Sequence, residues 1–190
     1  IIWSKLWEER IGKAKSIILS NEGDYIVQGN YGYVDVWVKK LDNNGNSIWD
    51  YETNSSQNIN ANSIKQTRDN DFIIFGSTDP TDTDDQRGWL LKLSNSGSLE
   101  WETQLILPRP GYYISDGVED YEGNFICTGF IGDYTHPDYG YGGHNDILIV
   151  KTNQTGYPIW SSQIGADCSS RDYGNQIKKT IDDGFIITGK

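Results

Sequence analysis

Both histidines of this chain lie in one stretch, residues 133–144, together with two carboxylates. His136 and His144 could bind a transition metal with Asp133 or Asp138, because imidazole and carboxylate side chains are common ligands of such ions. The spacing of these side chains matches no known metal motif. The sequence therefore predicts no metal site, and both histidines remain candidates for contact with another kind of ligand.

The same stretch also suits binding without a metal, because it contains three tyrosines and three glycines. Tyrosine rings on an adaptable glycine backbone are typical of sites that recognise sugars or proteins. The tyrosines are Tyr134, Tyr139 and Tyr141. A tolerated surface insertion would have the same composition, so both interpretations stay open.

A second loop, which begins at Asp79, is acidic. Asp79, Asp82 and Asp84 could bind Ca²⁺ through their carboxylate oxygens. The glycine and the glutamate of the usual calcium-binding loop do not follow at the required positions. A solvated acidic loop is the favoured interpretation, and the sequence predicts no bound cofactor.

Catalytic motifs are absent from the sequence, which contains no Gly-x-Ser-x-Gly elbow, no zinc-binding helix motif and no phosphate-binding loop. Glycoside hydrolysis needs two carboxylates at a fixed separation. The chain has 27 Asp and Glu residues, and the sequence alone pairs none of them across space. An enzyme that acts on a glycan therefore stays an alternative to a non-catalytic binding protein.

The net charge of the 190-residue chain is −11, which narrows the classes of partner. Nucleic acid phosphates and anionic membrane surfaces would be repelled. No apolar run reaches the ~18 residues that span a bilayer, so no membrane insertion is expected. Protein and carbohydrate remain as expected partners. Seven Trp and 12 Tyr residues indicate a packed core rather than a disordered chain.

An internal repeat is the strongest pattern in the sequence. In three copies a Lys lies nine residues, and a Gly four residues, before a Trp. Repetition at a spacing of 50 to 60 residues indicates an array of similar supersecondary units. The copies are Lys40, Gly45 and Trp49; Lys92, Gly97 and Trp101; and Lys151, Gly156 and Trp160.

A second pattern lies between the Trp residues and consists of a polar turn, an aromatic residue, a short apolar run and a closing glycine. A polar turn before an apolar run of this kind predicts a hairpin that enters a buried strand. Four antiparallel strands in about 50 residues are typical of a β-propeller blade. We therefore predict an all-β fold, a β-propeller of four-stranded antiparallel blades. The closing glycines are Gly29, Gly76, Gly129 and Gly189.

The chain is interpreted as one domain, or segment of a domain, with three complete blades and a split, incomplete fourth. A closed four-bladed ring is one interpretation, and an excerpt of a larger propeller is the other. The strand that the fourth blade lacks favours the excerpt. The blades are predicted at 12–52, 60–104 and 112–163, with the fourth assembled from 1–10 and 173–190.

The repeated Trp is expected on the outermost strand of each blade. A large ring at that sheet edge can pack against the neighbouring blade and cover the exposed edge. The predicted docking residues are Trp3, Trp49, Trp101 and Trp160.

At these residues the chain resembles the quinoprotein-type (PQQ-like) β-propeller superfamily, whose WD40-like blades have a docking motif with Gly four positions before Trp. Gly45 and Trp49 have this offset, and it recurs in the next two repeats. The resemblance implies a propeller fold. Similar repeats are common in secreted or surface-anchored prokaryotic proteins, which implies an extracellular or cell-surface location.

Nearly all of the length variation between repeats falls in the connection after the closing glycine, between the second and third strands. Loops on a rigid scaffold are frequent binding sites. Four of the five arginines lie in connections on this variable-loop face, and clustered Arg favours a carboxylate or sulfate ligand. The candidate binding residues are Arg87, Arg109, Tyr112, Tyr134, His136, Tyr139, Tyr141, His144 and Arg171.

The sequence thus favours a non-catalytic, extracellular or cell-surface β-propeller that acts as a protein- or glycan-interaction module, or a structural one, through its variable-loop face. The alternative is a propeller enzyme of glycosidase or lyase type. An enzyme predicts charged side chains that converge in one pocket at the ring centre. A scaffold predicts a filled or featureless channel.

Overall fold

The computed structural model describes residues 4, 12–32, 35–54, 57–79, 86–109, 111–133, 144–165 and 171–190, with the backbone alone at Asp79 and Asp133. These residues form strands and turns, and no helix occurs among them. It follows that no helix in the described ranges could span a membrane.

Within the described ranges, fourteen strands form four antiparallel sheets, in which consecutive strands are neighbours. The predicted all-β class and the four-stranded antiparallel unit are confirmed. Sheet 1 comprises β1 (Lys13–Leu19), β2 (Tyr25–Tyr31), β3 (Asp35–Leu41) and β4 (Ser47–Glu52), and sheet 2 comprises β5 (Asn58–Gln66), β6 (Phe72–Asp79), β7 (Arg87–Leu93) and β8 (Leu99–Gln104). Sheet 3 comprises β9 (Tyr112–Glu119), β10 (Phe125–Asp133), β11 (His144–Thr152) and β12 (Pro158–Ile164), and sheet 4 comprises β13 (Gly174–Lys179) and β14 (Phe185–Gly189).

The turn residues of the repeat are explained by backbone conformation. Gly45, Gly97 and Gly156 have φ values of 82°, 83° and 82°, in the left-handed region that disfavours side chains with a Cβ. In the turns between first and second strands the same region is occupied in two sheets by Asn70 and Asp183, the residue types that tolerate it best after glycine. The predicted turn pattern is therefore a pattern of positive φ angles.

The closing glycine has a different function, because it allows two backbones to approach closely. A Cβ on Gly76 would lie 2.8 Å from the Cα of Ala61 and well inside van der Waals contact with the carbonyl oxygen of Asn60. The equivalent glycines in sheets 1, 3 and 4 face carbonyl oxygens of the first strand in the same way. In each sheet the first strand has a register shift beside this glycine. The glycine thus accommodates a β-bulge of the first strand.

The strands continue beyond this glycine in sheets 1, 2 and 3, although the sequence pattern had it closing the strand. There, β2 extends to Tyr31, β6 to Asp79 and β10 to Asp133. The reason is that the glycine interrupts side-chain packing without interrupting the ladder of backbone hydrogen bonds. In sheet 4 the glycine is the last residue of β14.

The four sheets pack face to face, and their first strands are neighbours. Strand β1 contacts β5, β5 contacts β9, and β9 contacts β13. One buried core, which includes Ile64 and Trp89, lies between sheets 1 and 2. A second core, which includes Phe75 and Phe125, lies between sheets 2 and 3. Each sheet therefore buries its apolar side chains against the next.

Equivalent ends of the sheets lie on the same side of the molecule. We call the side where first and third strands begin the loop edge, and the opposite side the turn edge. At the turn edge, Asn21 of sheet 1 donates a hydrogen bond to Asn70 of sheet 2 (3.1 Å), and Arg68 donates to the carbonyl of Tyr121 in sheet 3 (2.6 Å). The variable connections accordingly all emerge at the loop edge.

The repeated Trp residues differ in their surroundings. Trp49 lies 2.6 Å from the site where a Cβ on Gly97 of the next sheet would project, and its indole N–H donates to the carbonyl of Asn95 (3.0 Å). Trp101 lies against Gly156 in the same manner. Trp160 has 47% of its surface exposed. Trp3 lies outside the described residues.

Replacing the glycine that faces the bulge is expected to destabilise the fold. Gly76→Ala should lower the free energy of unfolding by about 3 kcal/mol, the upper end of the usual cost of overpacking, because the new methyl group meets backbone atoms. Urea unfolding followed by tryptophan fluorescence measures the change. Ile106→Ala, which shortens an exposed side chain, serves as control and should change stability by less than about 0.5 kcal/mol. Equal effects of the two substitutions would contradict the packing constraint.

Removal of the packed Trp is expected to cost more than removal of the exposed one. Trp49→Ala should lower the free energy of unfolding by about 3 kcal/mol, since it empties a space between two sheets and leaves a carbonyl without its donor. Trp160→Ala should cost under about 1 kcal/mol, because its ring is already half in water. Thermal unfolding of both variants gives the comparison, and similar losses would show that the inter-sheet contact of Trp49 adds little.

Candidate binding site

The repeated Lys is an ion-pairing residue at the turn edge. The ammonium group of Lys92 lies 2.7 Å from the Asp69 carboxylate, 2.9 Å from that of Asp71 and 3.0 Å from that of Glu100. Two of these carboxylates belong to the turn between the first and second strands. The fixed position of the Lys in the repeat therefore places it next to that acidic turn.

The other two copies repeat this arrangement. Lys40 lies 2.7 Å from Glu22, and Lys151 lies 2.8 Å from Asp120 and 3.3 Å from Glu122. Hydrogen bonds to Asp120 and Glu122 raise the pKa of Lys151. The turn edge is thus acidic, and the repeated lysines of sheets 1, 2 and 3 are neutralised within their own sheets.

Burial and ion pairing oppose each other at Lys92 and Asp69. Burial alone would raise the pKa of the Asp69 carboxyl, but hydrogen bonds from Lys92 and Thr67 outweigh it and lower the pKa to about 2. Burial alone would lower the pKa of Lys92, and its hydrogen bonds to the carboxylates outweigh that effect and raise the pKa. Both groups are therefore charged at neutral pH.

At the loop edge a row of polar side chains crosses the first strands of successive sheets. Lys15 of β1 donates to the side-chain oxygen of Asn60 in β5. The Asn60 amide donates to the Tyr113 hydroxyl of β9 (3.3 Å), and this hydroxyl donates to the side-chain oxygen of Asn62 (2.6 Å). The Asn62 amide in turn donates to the carbonyl of Ile114 (2.7 Å). We call these residues, with Lys13, the first-strand row.

Aromatic rings continue the row toward sheet 4. The Tyr113 ring stacks on that of Phe130, with centroids 5.2 Å apart and planes 17° apart. Phe130 meets Tyr173, the residue before β13, edge to face at 5.0 Å. Burial raises the pKa of the Tyr113 hydroxyl, although its hydrogen bond to Asn62 opposes the shift. Amide, phenol and aromatic groups are therefore adjacent across three sheets.

The register shifts explain why two members of the row point to this site. Lys15 lies between Ala14 and Ser16, and Asn62 between Ala61 and Ser63, where the pairing skips one residue. A bulged residue is left unpaired in the ladder, and the bend redirects its side chain. The glycine that permits the bulge thus also positions Lys15 and Asn62.

Four predicted site residues lie at the loop edge. Arg87 begins β7 and His144 begins β11. The chain just after Arg109 is joined to the chain just before Arg87, because the backbone N–H of Gly111 donates to the carbonyl of Gln86 (3.1 Å). The backbone of Arg171 forms a bridge with that of Asn145, which places it beside His144. The structure thus gathers these residues in two pairs, one at each boundary of sheet 3.

Tyr112, the fifth predicted residue in the described ranges, is a core residue with 1% of its surface exposed. Its hydroxyl donates to the carbonyl of Leu105 and accepts from the N–H of Leu107 (3.2 Å). Its neighbour Tyr113 takes part in the first-strand row, because consecutive residues of a strand point to opposite faces.

The remaining predictions fall on residues that the structure does not describe. In the ranges that it does describe, no group of three His, Cys, Asp or Glu side chains is arranged to hold a metal ion. The predictions outside these ranges are Tyr134, His136, Tyr139 and Tyr141 of the third loop, and Asp82 and Asp84 with the side chain of Asp79 in the second.

Sequence reasoning missed Asn60, Asn62, Tyr113, Phe130 and Tyr173. A signal for them was present in the repeat. Asn60, Tyr113 and Tyr173 each come directly before the residue that pairs with a closing glycine, as Lys13 does in sheet 1. Aligning the repeats on the glycines would have shown that these four residues occupy equivalent positions in successive sheets.

Two grooves lie away from this row. One, of about 500 Å³, is lined by Tyr51, Glu52 and Glu102 and four neighbours between β4 and β8. Glu102 accepts a hydrogen bond from the indole N–H of Trp89 (2.7 Å), so this carboxylate is held by the core. The other, of about 320 Å³, lies at the turn edge between sheets 2 and 3 and includes the Lys92–Asp69 pair. Glu102 in the first groove and Asp69 in the second thus take part in contacts within the protein.

Comparisons with known proteins give the chain no family. No family model matches it, and no curated protein matches it. A solved protein of unknown function from Bacteroides caccae aligns with 98% of this chain and 73% of its own, at 11% sequence identity and a TM-score of 0.47. This similarity is too distant to indicate an activity.

The Asp69 carboxylate makes the stability of the fold depend on pH in the acid range. Its folded-state pKa of about 2 lies below the ordinary value of 3.8, so the ionised form stabilises the fold above about pH 4. That contribution is lost as the pH falls from about 4 to about 2. Urea unfolding across this pH window should show that the free energy of unfolding falls more steeply for the native chain than for Asp69→Asn. Asp50→Asn, which removes the ion-pair partner that Lys39 has among the described residues (3.1 Å), is the control and should change the pH profile less than Asp69→Asn does.

Proposed function

We propose that this chain is part of a β-propeller that binds carbohydrate at its loop edge and performs no catalysis. In this proposal each sheet is a blade, the first strands surround the axis, and the protein acts outside the cell or on its surface. The PQQ-like type of blade, with a Trp that contacts the next blade, is part of the same proposal.

The packing of the sheets supports the propeller. Successive first strands contact one another, and the most extensive contacts between sheets involve them. Side chains of the fourth strands, such as Trp49 and Trp101, lie against the following sheet, at the turn between its third and fourth strands. A series of sheets in which first strands contact one another, and in which each fourth strand contacts the following sheet, is typical of a radial array.

One observation carries the functional proposal: the first-strand row combines amides, phenols and aromatic rings at the edge where the variable connections emerge. Sugars present hydroxyl groups around an apolar ring face, so they are recognised by hydrogen-bonding groups next to aromatic side chains. Internal hydrogen bonds hold Asn60 and Tyr113 in place. A site with fixed side chains loses less conformational entropy when it binds.

A screen against an array of neutral and acidic oligosaccharides, followed by titration calorimetry of any that bind, tests the proposal. Tyr173→Ala should weaken binding about tenfold, since it removes an aromatic ring beside Phe130 at the end of the row. Tyr157→Ala is the matched control, because this ring is 64% exposed at the turn edge and outside the row.

Three results would contradict the proposal. Binding to none of the sugars would remove carbohydrate as the partner. Equal losses for Tyr173→Ala and Tyr157→Ala would remove the first-strand row as the site. Turnover of a model glycoside would favour the enzymatic alternative over a binding module.

A further inference from the structure

The lysines of this chain differ in whether a carboxylate neutralises them. Six of those in the described ranges form ion pairs, at distances from 2.7 to 3.1 Å for their nearest partners. The other four in those ranges, Lys13, Lys15, Lys178 and Lys190, have no carboxylate at ion-pair distance among the described residues. This is unexpected in a chain with net charge −11, where carboxylates outnumber cationic side chains. The six paired residues are Lys39, Lys40, Lys65, Lys92, Lys151 and Lys179.

Two of these four lysines, Lys13 and Lys15, lie at the start of the first-strand row. They are two residues apart on β1, and the positive charge of Lys13, in addition to burial, lowers the pKa of Lys15. Lys15 is also fixed by its hydrogen bond to Asn60, which links it to Tyr113. The arrangement therefore brings two like charges together beside groups suited to sugar, and no carboxylate among the described residues pairs with them.

Two adjacent cations without a counter-charge reduce the stability of the folded chain through their repulsion, and a bound anion would relieve it. At the turn edge the repeated lysines are already paired, and Lys178 lies next to the Lys179–Asp183 ion pair (2.8 Å). The Lys13–Lys15 pair, joined to Asn60 through Lys15, is thus a cationic position placed to attract an anion to the row.

We propose that Lys13 and Lys15 form an anion subsite of the first-strand row and that the carbohydrate bound there is acidic. The ammonium groups bind a carboxylate or sulfate on one sugar unit, while the row contacts the sugar ring. This inference rests on the proposed carbohydrate-binding function and names the class of sugar.

The test compares three oligosaccharides of equal length: an oligogalacturonate, its fully methyl-esterified form, and a sulfated galactose oligosaccharide. Esterification removes the negative charge and retains the sugar ring. The native chain should bind the oligogalacturonate about tenfold more tightly than the ester in low salt, and the preference should shrink as salt increases. A higher affinity for the sulfated sugar would assign the anion as sulfate, and a lower one as carboxylate.

Substitutions locate the subsite. The double variant Lys13→Gln, Lys15→Gln should lose about tenfold in affinity for the acidic sugar and little for the ester. Lys178→Gln is the matched control, because Lys178 is an exposed lysine near the turn-edge end of β13 that likewise has no carboxylate at ion-pair distance within the described ranges. It should leave both affinities unchanged.

The outcomes separate this inference from the function on which it rests. If none of the sugars binds, the proposed function fails. If the ester binds as tightly as the acid in low salt, the carbohydrate site stands and the anion subsite is overturned. The subsite is also overturned if Lys178→Gln weakens acidic binding as much as the double variant. The salt dependence of the native chain needs no variant, so it decides the question even if a substitution impairs folding.

Discussion

The close approach of the first and second strands at the closing glycine is the constraint on which the rest of this structure depends. Any side chain at Gly76 would overlap the backbone of β5, and the same holds in the other sheets. The space that the glycine leaves is occupied by a β-bulge. At the bulge, Lys15 and Asn62 are skipped in the strand pairing. Their side chains therefore depart from the regular alternation between the two faces of the sheet and join the first-strand row. A backbone packing requirement thus determines which side chains the loop edge presents.

Charge is distributed unequally between the two edges, and the repeat is the cause. The Lys of each repeat lies beside the acidic first turn of its own sheet, so the turn edge is neutralised locally. Cross-sheet hydrogen bonds from Asn21 and Arg68 then join these turns. Lys13 and Lys15 have no equivalent acidic partner in the part of the chain that the structure describes. An acidic protein can in this way keep a small cationic region, because local pairing rather than net charge governs the field at short range.

Much of the fold was predictable, since strand periodicity, turn residues and repeat spacing are local properties. The left-handed turn positions at Gly45, Gly97 and Gly156 follow directly from residue type. The site was predictable only in part. Arg87 and His144 do lie at the loop edge, whereas Tyr112 is in the core and Tyr113 belongs to the row. The choice between neighbours depends on strand register, which a bulge shifts by one residue and which composition does not reveal.

The sequence by itself determined the all-β class, the four-stranded unit and the places where the chain turns, because each depends on residues within a few positions of one another. Only the tertiary structure decided that Lys15, Asn60 and Tyr113 form one network. These residues come from three sheets and are separated by 45 and 53 positions. They meet because apolar faces pack sheet on sheet and bring equivalent strands together. Hydrophobic burial supplies the driving force for that packing, and it is nondirectional. The spacing of the repeat determines which residues of successive sheets lie side by side.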